Sequence, residues 1–179
     1  MIPRATQDQA TKVLGRVFSD ICGPIENPSI EGYQYFITFT DDFSRYTHVG
    51  LCKSKDDAFT IFKQWKACAE KETRKVLKIL RTDGSGKYTS NMFSTYLADN
   101  GIKCKLTNAY TPQENGVSKC ANQTLNNLAQ SMIADVKEVL QNKSLPPSLW
   151  SHAIRHVAWI KNRVFTHSLN SNKIGRAHV

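Results

Sequence analysis

Two aspartates stand where predicted β-strands end. Asp20 closes a predicted strand and Asp83 closes a later one, and each is followed within three residues by a glycine that lets the backbone turn sharply. Carboxylate oxygens suit hard divalent cations, but two Mg²⁺ ions clamping a phosphodiester need about three convergent carboxylates. Aspartate before glycine is also the ordinary composition of a turn. These residues alone therefore predict either part of a metal site or two turns.

Histidine and cysteine offer weaker candidates. His152 and His156 lie four residues apart, as ligands on one helix face would, but no carboxylate stands beside them in the manner of a helical zinc site. We interpret them as polar-face or partly buried histidines. The five cysteines include no CxxC pair, so their spacing suggests neither a zinc module nor a disulfide framework and favours free thiols.

Composition and charge limit the class of protein. The 179 residues are 40% hydrophobic and 22% charged, which is typical of one ordinary globular domain, and they contain no apolar run long enough for a membrane span. The first residues lack the apolar core of a secretory signal, so we expect an intracellular protein. Lysine and arginine number 24 against 15 acidic residues, and the net charge of +9 favours a polyanionic partner such as nucleic acid.

The apolar pattern predicts alternating strands and helices in a single α/β unit. Strands are expected at 13–21, 33–40, 46–52, 76–80 and 102–106, and the second and third form a hairpin. A helix follows Ser54, which with Asp57 makes a helix-start signature, and a shorter helix covers 92–100. The first helix has an apolar stripe that should pack on the sheet, made of Ala58, Ile61, Phe62, Trp65 and Ala69.

Two further helices complete the pattern. A long helix is predicted over 116–135, and its expected core positions are Val117, Ala121, Leu125, Leu128 and Met132. At about 100° per residue, Lys119 faces outward from the first turn of this helix. The same spacing predicts that a polar stripe continues away from the core through Asn122, Gln123, Asn126 and Gln130. The last helix begins at Pro146-Pro147, and its inward positions are Trp150, Ala153, Ile154 and Val157.

The ordered motifs of the chain resemble the integrase catalytic core of copia-type LTR retrotransposons. The resemblance rests on Ser19-Asp20-Ile21-Cys22-Gly23-Pro24, Tyr35-Phe36-Ile37-Thr38-Phe39-Thr40-Asp41-Asp42-Phe43-Ser44-Arg45-Tyr46, Arg81-Thr82-Asp83, Tyr110-Thr111-Pro112-Gln113-Glu114-Asn115-Gly116-Val117, Leu149-Trp150 and Asn162-Arg163. It implies a ribonuclease-H-like fold, a five-stranded mixed sheet flanked by helices. It also implies a DDE triad that binds two Mg²⁺ or Mn²⁺ ions, with Asp20 and Asp83 as its first two members.

The third member of the triad departs from the family. The family glutamate follows the second aspartate with 35 residues between them, and that spacing leads to Lys119. A protonated lysine offers no lone pair to a metal ion and repels one. We therefore expect impaired two-metal catalysis, with the Lys119 ammonium paired to Asp20 or Asp83. Rescue by Glu114, in the preceding loop, is a minor alternative.

The function implied by the resemblance is metal-dependent transfer of a DNA 3′ end to target DNA. The implied partners are the DNA of the element ends and of the target together with further copies of the chain, with no membrane and no small-molecule substrate. The candidates for the DNA-facing surface are Lys87, Gln123, Asn126 and Gln130. The location implied is the nucleus or a cytoplasmic virus-like particle. Two alternatives remain: a non-catalytic nucleic-acid-binding or interaction module derived from a transposon and, well behind it, a ribonuclease H.

The resemblance also divides the chain. Residues 1–12 are expected to be a lead-in and residues 13–169 the catalytic core. Residues 170–179 do not continue the family pattern, and residues 173–179 are similar to a translated sequencing adapter.

Overall fold

The computed structural model describes residues 9–83, 91–106, 116–139 and 145–164, and of residues 116–118 and 136–139 it describes the backbone alone. The strands are β1 (Val17–Cys22), β2 (Tyr35–Asp41), β3 (Thr47–Cys52), β4 (Ile79–Thr82) and β5 (Lys103–Leu106). The helices are α1 (Ala58–Thr73), α2 (Asn91–Asp99), α3 (Gly116–Val139) and α4 (Trp150–Lys161). Each predicted strand and helix is present, with ends that differ from the prediction by a few residues.

The five strands form one mixed sheet in the order β3-β2-β1-β4-β5. The first three strands are an antiparallel meander, whereas β4 pairs parallel to β1 and β5 pairs parallel to β4. The predicted five-stranded mixed sheet is therefore confirmed. Because β1, β4 and β5 run in the same direction, their carboxyl ends meet at one edge of the sheet, which we call the carboxyl edge.

Helices cover both faces of the sheet. Successive side chains of β2 point to opposite faces, so Ile37 and Phe39 pack under α1 and α2 while Phe36 packs under α3 and α4. The Phe39 and Trp65 rings are stacked with centroids 4.3 Å apart. The predicted stripe of α1 and the predicted inward positions of α4 are buried or partly buried, as expected.

Two local features follow from the sequence. The Ser54 side chain accepts a hydrogen bond from the Asp56 backbone, and the Asp57 carboxylate accepts one from the Ser54 backbone, so the predicted helix-start signature is confirmed. The prediction for Leu128 was wrong, since its side chain is 47% exposed. The buried face of α3 is centred on Leu125 and Ala129, and Leu128 lies about 80° to one side of that centre.

Candidate active site

The parallel pairing of β1 and β4 brings Asp20 and Asp83 to the carboxyl edge. Phe18 is the register partner of Arg81, so two residues further along each strand Asp20 stands level with Asp83. Adjacent strands lie about 4.8 Å apart, which places the two carboxylates as close neighbours. Asp20 is half-buried and Asp83 is exposed. The sequence alone does not reveal this proximity, because it depends on the parallel pairing of β1 with β4.

The pKa of Asp20 reflects the closeness of Asp83. Burial raises the pKa of the Asp20 carboxyl above its ordinary value, and the negative charge of Asp83 raises it further. Hydrogen bonds from the Ile21 backbone and from Asn122 oppose these effects, as does the positive charge of Lys119. Two carboxylates that repel each other at the end of a sheet form a local anionic site that a cation would stabilise.

Asn122 connects α3 to this site. Its side-chain amide donates a hydrogen bond of 2.8 Å to Asp20 Oδ2, and its Oδ1 accepts one of 2.8 Å from the Thr38 hydroxyl. The expectation that Asn122 belongs to an outward polar stripe was wrong, because the residue is only 4% exposed. Asn122 occurs three residues before Leu125 and seven before Ala129, which is core spacing on a helix and is the signal that could have identified it.

Lys119 lies one helical turn before Asn122 and its side chain is exposed. Its positive charge lowers the pKa of Asp20, as the smallest of the contributions to that pKa. The direct ion pair expected with Asp20 is not among the ion pairs of the described residues, and the alternative pairing with Asp83 stays a prediction. Lys119 therefore acts on the Asp20 carboxylate through space rather than by contact.

The remaining site candidates lie further along α3 or outside the described residues. Gln123 and Gln130 are exposed and Asn126 is half-buried. Gln130 lines a cavity of about 370 Å³ together with Ile133 and Trp150. Lys87 and Glu114 lie outside the described residues. The assignment of Lys87, Gln123, Asn126 and Gln130 to a DNA-facing surface stays a prediction.

Other metal-ligating side chains do not add to the site. Burial and the charge of Asp20 raise the pKa of the Cys22 thiol to about 11, so this neighbour of the carboxylates stays protonated near neutral pH. His152 Nε2 lies 3.3 Å from Glu31 Oε1, and the His156 ring stacks on Trp159. Within the described ranges, no three His, Cys, Asp or Glu side chains are grouped to hold a metal ion, and no helix is long and apolar enough to cross a bilayer.

The donor set fits one divalent cation better than two. Asp20 and Asp83 supply hard oxygen ligands at adjacent strand ends, and Asn122 holds Asp20 in one orientation. Lys119, at the third position, can only donate hydrogen bonds when protonated. Its charge has the same sign as that of a metal cation, so it repels the ion instead of binding it. An ion shared between a carboxylate and position 119 is therefore opposed by this sequence.

Comparison with known proteins places the fold. The family model described as "Integrase core domain" matches residues 10–112. The retrovirus-related Pol polyprotein from transposon TNT 1-94 of Nicotiana tabacum is 37% identical over 160 residues, covering 89% of this chain and 12% of that protein. The corresponding polyprotein from transposon RE2 of Arabidopsis thaliana is 26% identical over 158 residues, 88% of this chain and 10% of that protein. The chain thus spans about a tenth of the length of these relatives.

Two solved structures share the fold. In the simian T-cell lymphotropic virus intasome in complex with PP2A regulatory subunit B56 gamma, the match has a TM-score of 0.73 and 18% identity over 99% of this chain and 59% of that chain. The HTLV-2 integrase catalytic core domain in complex with magnesium, in its trimeric form, matches with a TM-score of 0.59 and 19% identity over 89% of this chain and 90% of that chain. The expected ribonuclease-H-like fold of integrase catalytic cores is confirmed.

Proposed function

This chain belongs to the integrase core domain family, and from that premise we propose that it is the integrase catalytic core of a copia-type retrotransposon with an impaired active site. The reaction of such a core is in-line attack of a DNA 3′-hydroxyl on a target phosphodiester. The observation that supports the proposal is the convergence of Asp20 and Asp83 at the carboxyl edge, with the first turns of α3 beside Asp20.

Asp20 and Asp83 are the residues that would hold a divalent cation, Mg²⁺ or Mn²⁺. A bound cation supplies charge stabilisation for the oxygens that attack and leave at phosphorus. The protein contributes an oriented carboxylate at Asp20, because the Asn122 amide donates to Asp20 Oδ2 and is itself held by a hydrogen bond from the buried Thr38 hydroxyl. It also contributes a rigid sheet edge against which a phosphodiester could be positioned.

Lys119 is the proposed cause of the impairment. A divalent ion held at Asp20 would be repelled by the positive charge of Lys119, which already acts on the Asp20 carboxylate. With lysine at position 119, the carboxylate that two ions would share is also missing from that position. The two effects act in the same direction, so we expect weak occupancy of a second metal position and little strand transfer.

The partners proposed are DNA and further copies of this chain. The net charge of +9 supports binding to a polyanion. The solved neighbours are described as an intasome and as a trimeric form, which favours an oligomeric, DNA-bound state for proteins of this fold. We place the protein where element DNA is found, in the nucleus or in a cytoplasmic virus-like particle.

The experiment is a strand-transfer or disintegration assay on model DNA with Mn²⁺. We expect background activity from the unaltered chain and a rise of about 100-fold or more in Lys119→Glu, the order of magnitude that one group acting in a transition state contributes. Lys119→Gln is the matched control, since it removes the charge without supplying a carboxylate. Lys119→Glu combined with Asp83→Asn should return to background.

Two other outcomes are informative. Equal activity of the unaltered chain and Lys119→Glu would show that Lys119 does not impair catalysis. Background activity in Lys119→Glu, with DNA binding retained, would favour the second candidate, a non-catalytic nucleic-acid-binding or interaction module derived from a transposon. The positive charge of Lys119, which acts on Asp20, is the observation that supports this second candidate.

A further inference from the structure

A basic cleft lies at the end of the sheet opposite the carboxyl edge. It has a volume of about 460 Å³ and lies between the loop that precedes β1 and the segment that precedes β4. The side chains of Lys12, Arg16, Lys75 and Lys78 line it, and the exposed Val76 contributes an apolar wall. The lining residues include four cations and no carboxylate.

The backbone holds the two walls of the cleft together. The Lys78 amide donates a hydrogen bond of 3.0 Å to the Leu14 carbonyl, and the Asp41 carboxylate accepts a hydrogen bond of 2.8 Å from the Leu14 amide. Leu14 and Arg74, which are sequence neighbours of lining residues on the two sides, have positive φ angles of 59° and 53°. The two segments therefore have defined conformations, and the cations are presented from an ordered frame.

The cleft is separate from the candidate active site. Val17 is level with Leu80 at the start of the parallel pair, and Asp20 and Asp83 follow towards its other end. Arg16 in the cleft precedes Asp20 by four residues, which corresponds to about 13 Å of extended strand, so the cleft and the carboxylates lie towards opposite ends of β1.

Three of the four cations have unbalanced charge. Arg16 pairs with Asp42 at 3.4 Å, and that buried carboxylate also pairs with Arg45. In the described part of the chain, by contrast, none of the ion pairs involves Lys12, Lys75 or Lys78, and all three side chains are exposed. Like charges gathered around one concave surface raise the local positive potential and attract an anion.

The positive charge continues beyond the cleft. The Lys103 amide donates a hydrogen bond of 2.9 Å to the Lys78 carbonyl, so the edge strand β5 begins beside the cleft. Lys103 and Lys105 are two residues apart in β5 and therefore lie on one face of that strand. A row of cations on three neighbouring segments suits a ligand with several phosphates in a chain better than a single small anion.

We propose that this cleft binds the phosphate backbone of a nucleic acid at a second site, remote from Asp20 and Asp83. Lysine ammonium groups act as point charges that contact phosphate without reading bases, so binding here is independent of sequence. The inference goes beyond the proposed function, because a second backbone site would hold nucleic acid whether or not the carboxylates support catalysis.

The test is the salt dependence of binding of the full chain to a short labelled DNA duplex, measured by fluorescence anisotropy in EDTA. Each phosphate contact contributes about 0.9 to the slope of log K against log salt concentration. The variant Lys75→Gln with Lys78→Gln should therefore lose about 1.8 from that slope and bind more weakly at every salt concentration. The matched control removes two exposed cations outside the cleft, by Lys63→Gln and Arg155→Gln, and should keep the slope of the unaltered chain.

Equal losses in the two variants, or no loss in the cleft variant, would overturn the proposal. A second experiment measures the binding of inositol hexakisphosphate, a compact ligand with several phosphates, by calorimetry. If the cleft variant lost binding of this small ligand but kept the salt dependence of DNA binding, the assignment to nucleic acid would also be overturned. Because no metal ion or catalytic step enters the measurement, failure of this proposal is distinguishable from failure of the strand-transfer proposal. Circular dichroism of the variants establishes that both are folded.

Discussion

Replacing Asn122 with alanine should destabilise the protein more than any other single change of a polar residue on α3. The change removes the hydrogen bonds of 2.8 Å to Asp20 Oδ2 and from the Thr38 hydroxyl. Thr38 is fully buried, and its remaining acceptor, the Asp20 carbonyl, is 3.4 Å away. The buried hydroxyl and the half-buried carboxylate would both lose a partner that water replaces poorly.

The expected magnitude follows from the two bonds. A hydrogen bond to a charged group contributes about 1.5 to 3 kcal/mol and a neutral one about 1 kcal/mol, so the free energy of unfolding should fall by about 2.5 to 4 kcal/mol. For a domain of this size, that loss corresponds to a decrease in Tm of about 5 to 16 °C. The assay is urea unfolding in metal-free buffer, so that metal binding to Asp20 cannot contribute.

Asn126→Ala is the matched control, because Asn126 is on the same helix, is half-buried, and has no side-chain hydrogen bond among the described residues. Its effect should stay within about 0.5 kcal/mol. A double-mutant cycle with Thr38→Val should give a coupling energy of about 1 kcal/mol between Thr38 and Asn122. Equal effects of Asn122→Ala and Asn126→Ala, or a cycle with no coupling, would refute the reasoning.

Two further predictions concern the sheet. Gly50→Ala should cost about 1 to 3 kcal/mol of stability, because a Cβ atom there would lie 2.5 Å from Ile61 Cγ2 and 3.0 Å from Ile37 Cγ2; a loss below about 0.5 kcal/mol in urea unfolding would contradict this. Burial, aided by the charge of Arg155, lowers the pKa of His48 below its ordinary value. As the pH falls, His48 is therefore protonated at a higher pH in the unfolded chain than in the folded protein. The contribution of His48 to stability should be full above about pH 6.5 and should decrease as the pH drops below that value. His48→Gln should flatten that part of a stability profile measured by urea unfolding, and an unchanged profile would show that His48 is not responsible.

The sequence predicts much of the fold because local and periodic signals agree with it. The hairpin of β2 and β3, the start signal at Ser54 and the apolar stripe of α1 each specify their own element. The strand ends are less exact: the first strand was expected from Val13, but β1 begins at Val17, because Leu14 takes a positive φ and bonds to the Asp41 carboxylate. That contact joins residues far apart in the chain, and no local pattern contains it.

The candidate site is predictable only in part. Asp20 and Asp83 were identified at strand ends, and the parallel pairing places them side by side. The prediction placed Asn122 on the wrong face. An asparagine whose hydrogen bonds are made by buried groups cannot be distinguished by residue type from one that is hydrogen-bonded to water. The position of the Lys119 charge depends on how α3 rotates against the sheet, which the side chains of Leu125 and Ala129 decide.

Manganese soaked into crystals of the unaltered chain, and located by its anomalous scattering, tests the central claim most directly. The repulsion by Lys119 and the absence of a third carboxylate at that position predict at most one ion, held between Asp20 and Asp83, and a second ion only in Lys119→Glu. Two manganese ions bound side by side in the unaltered chain would contradict the account.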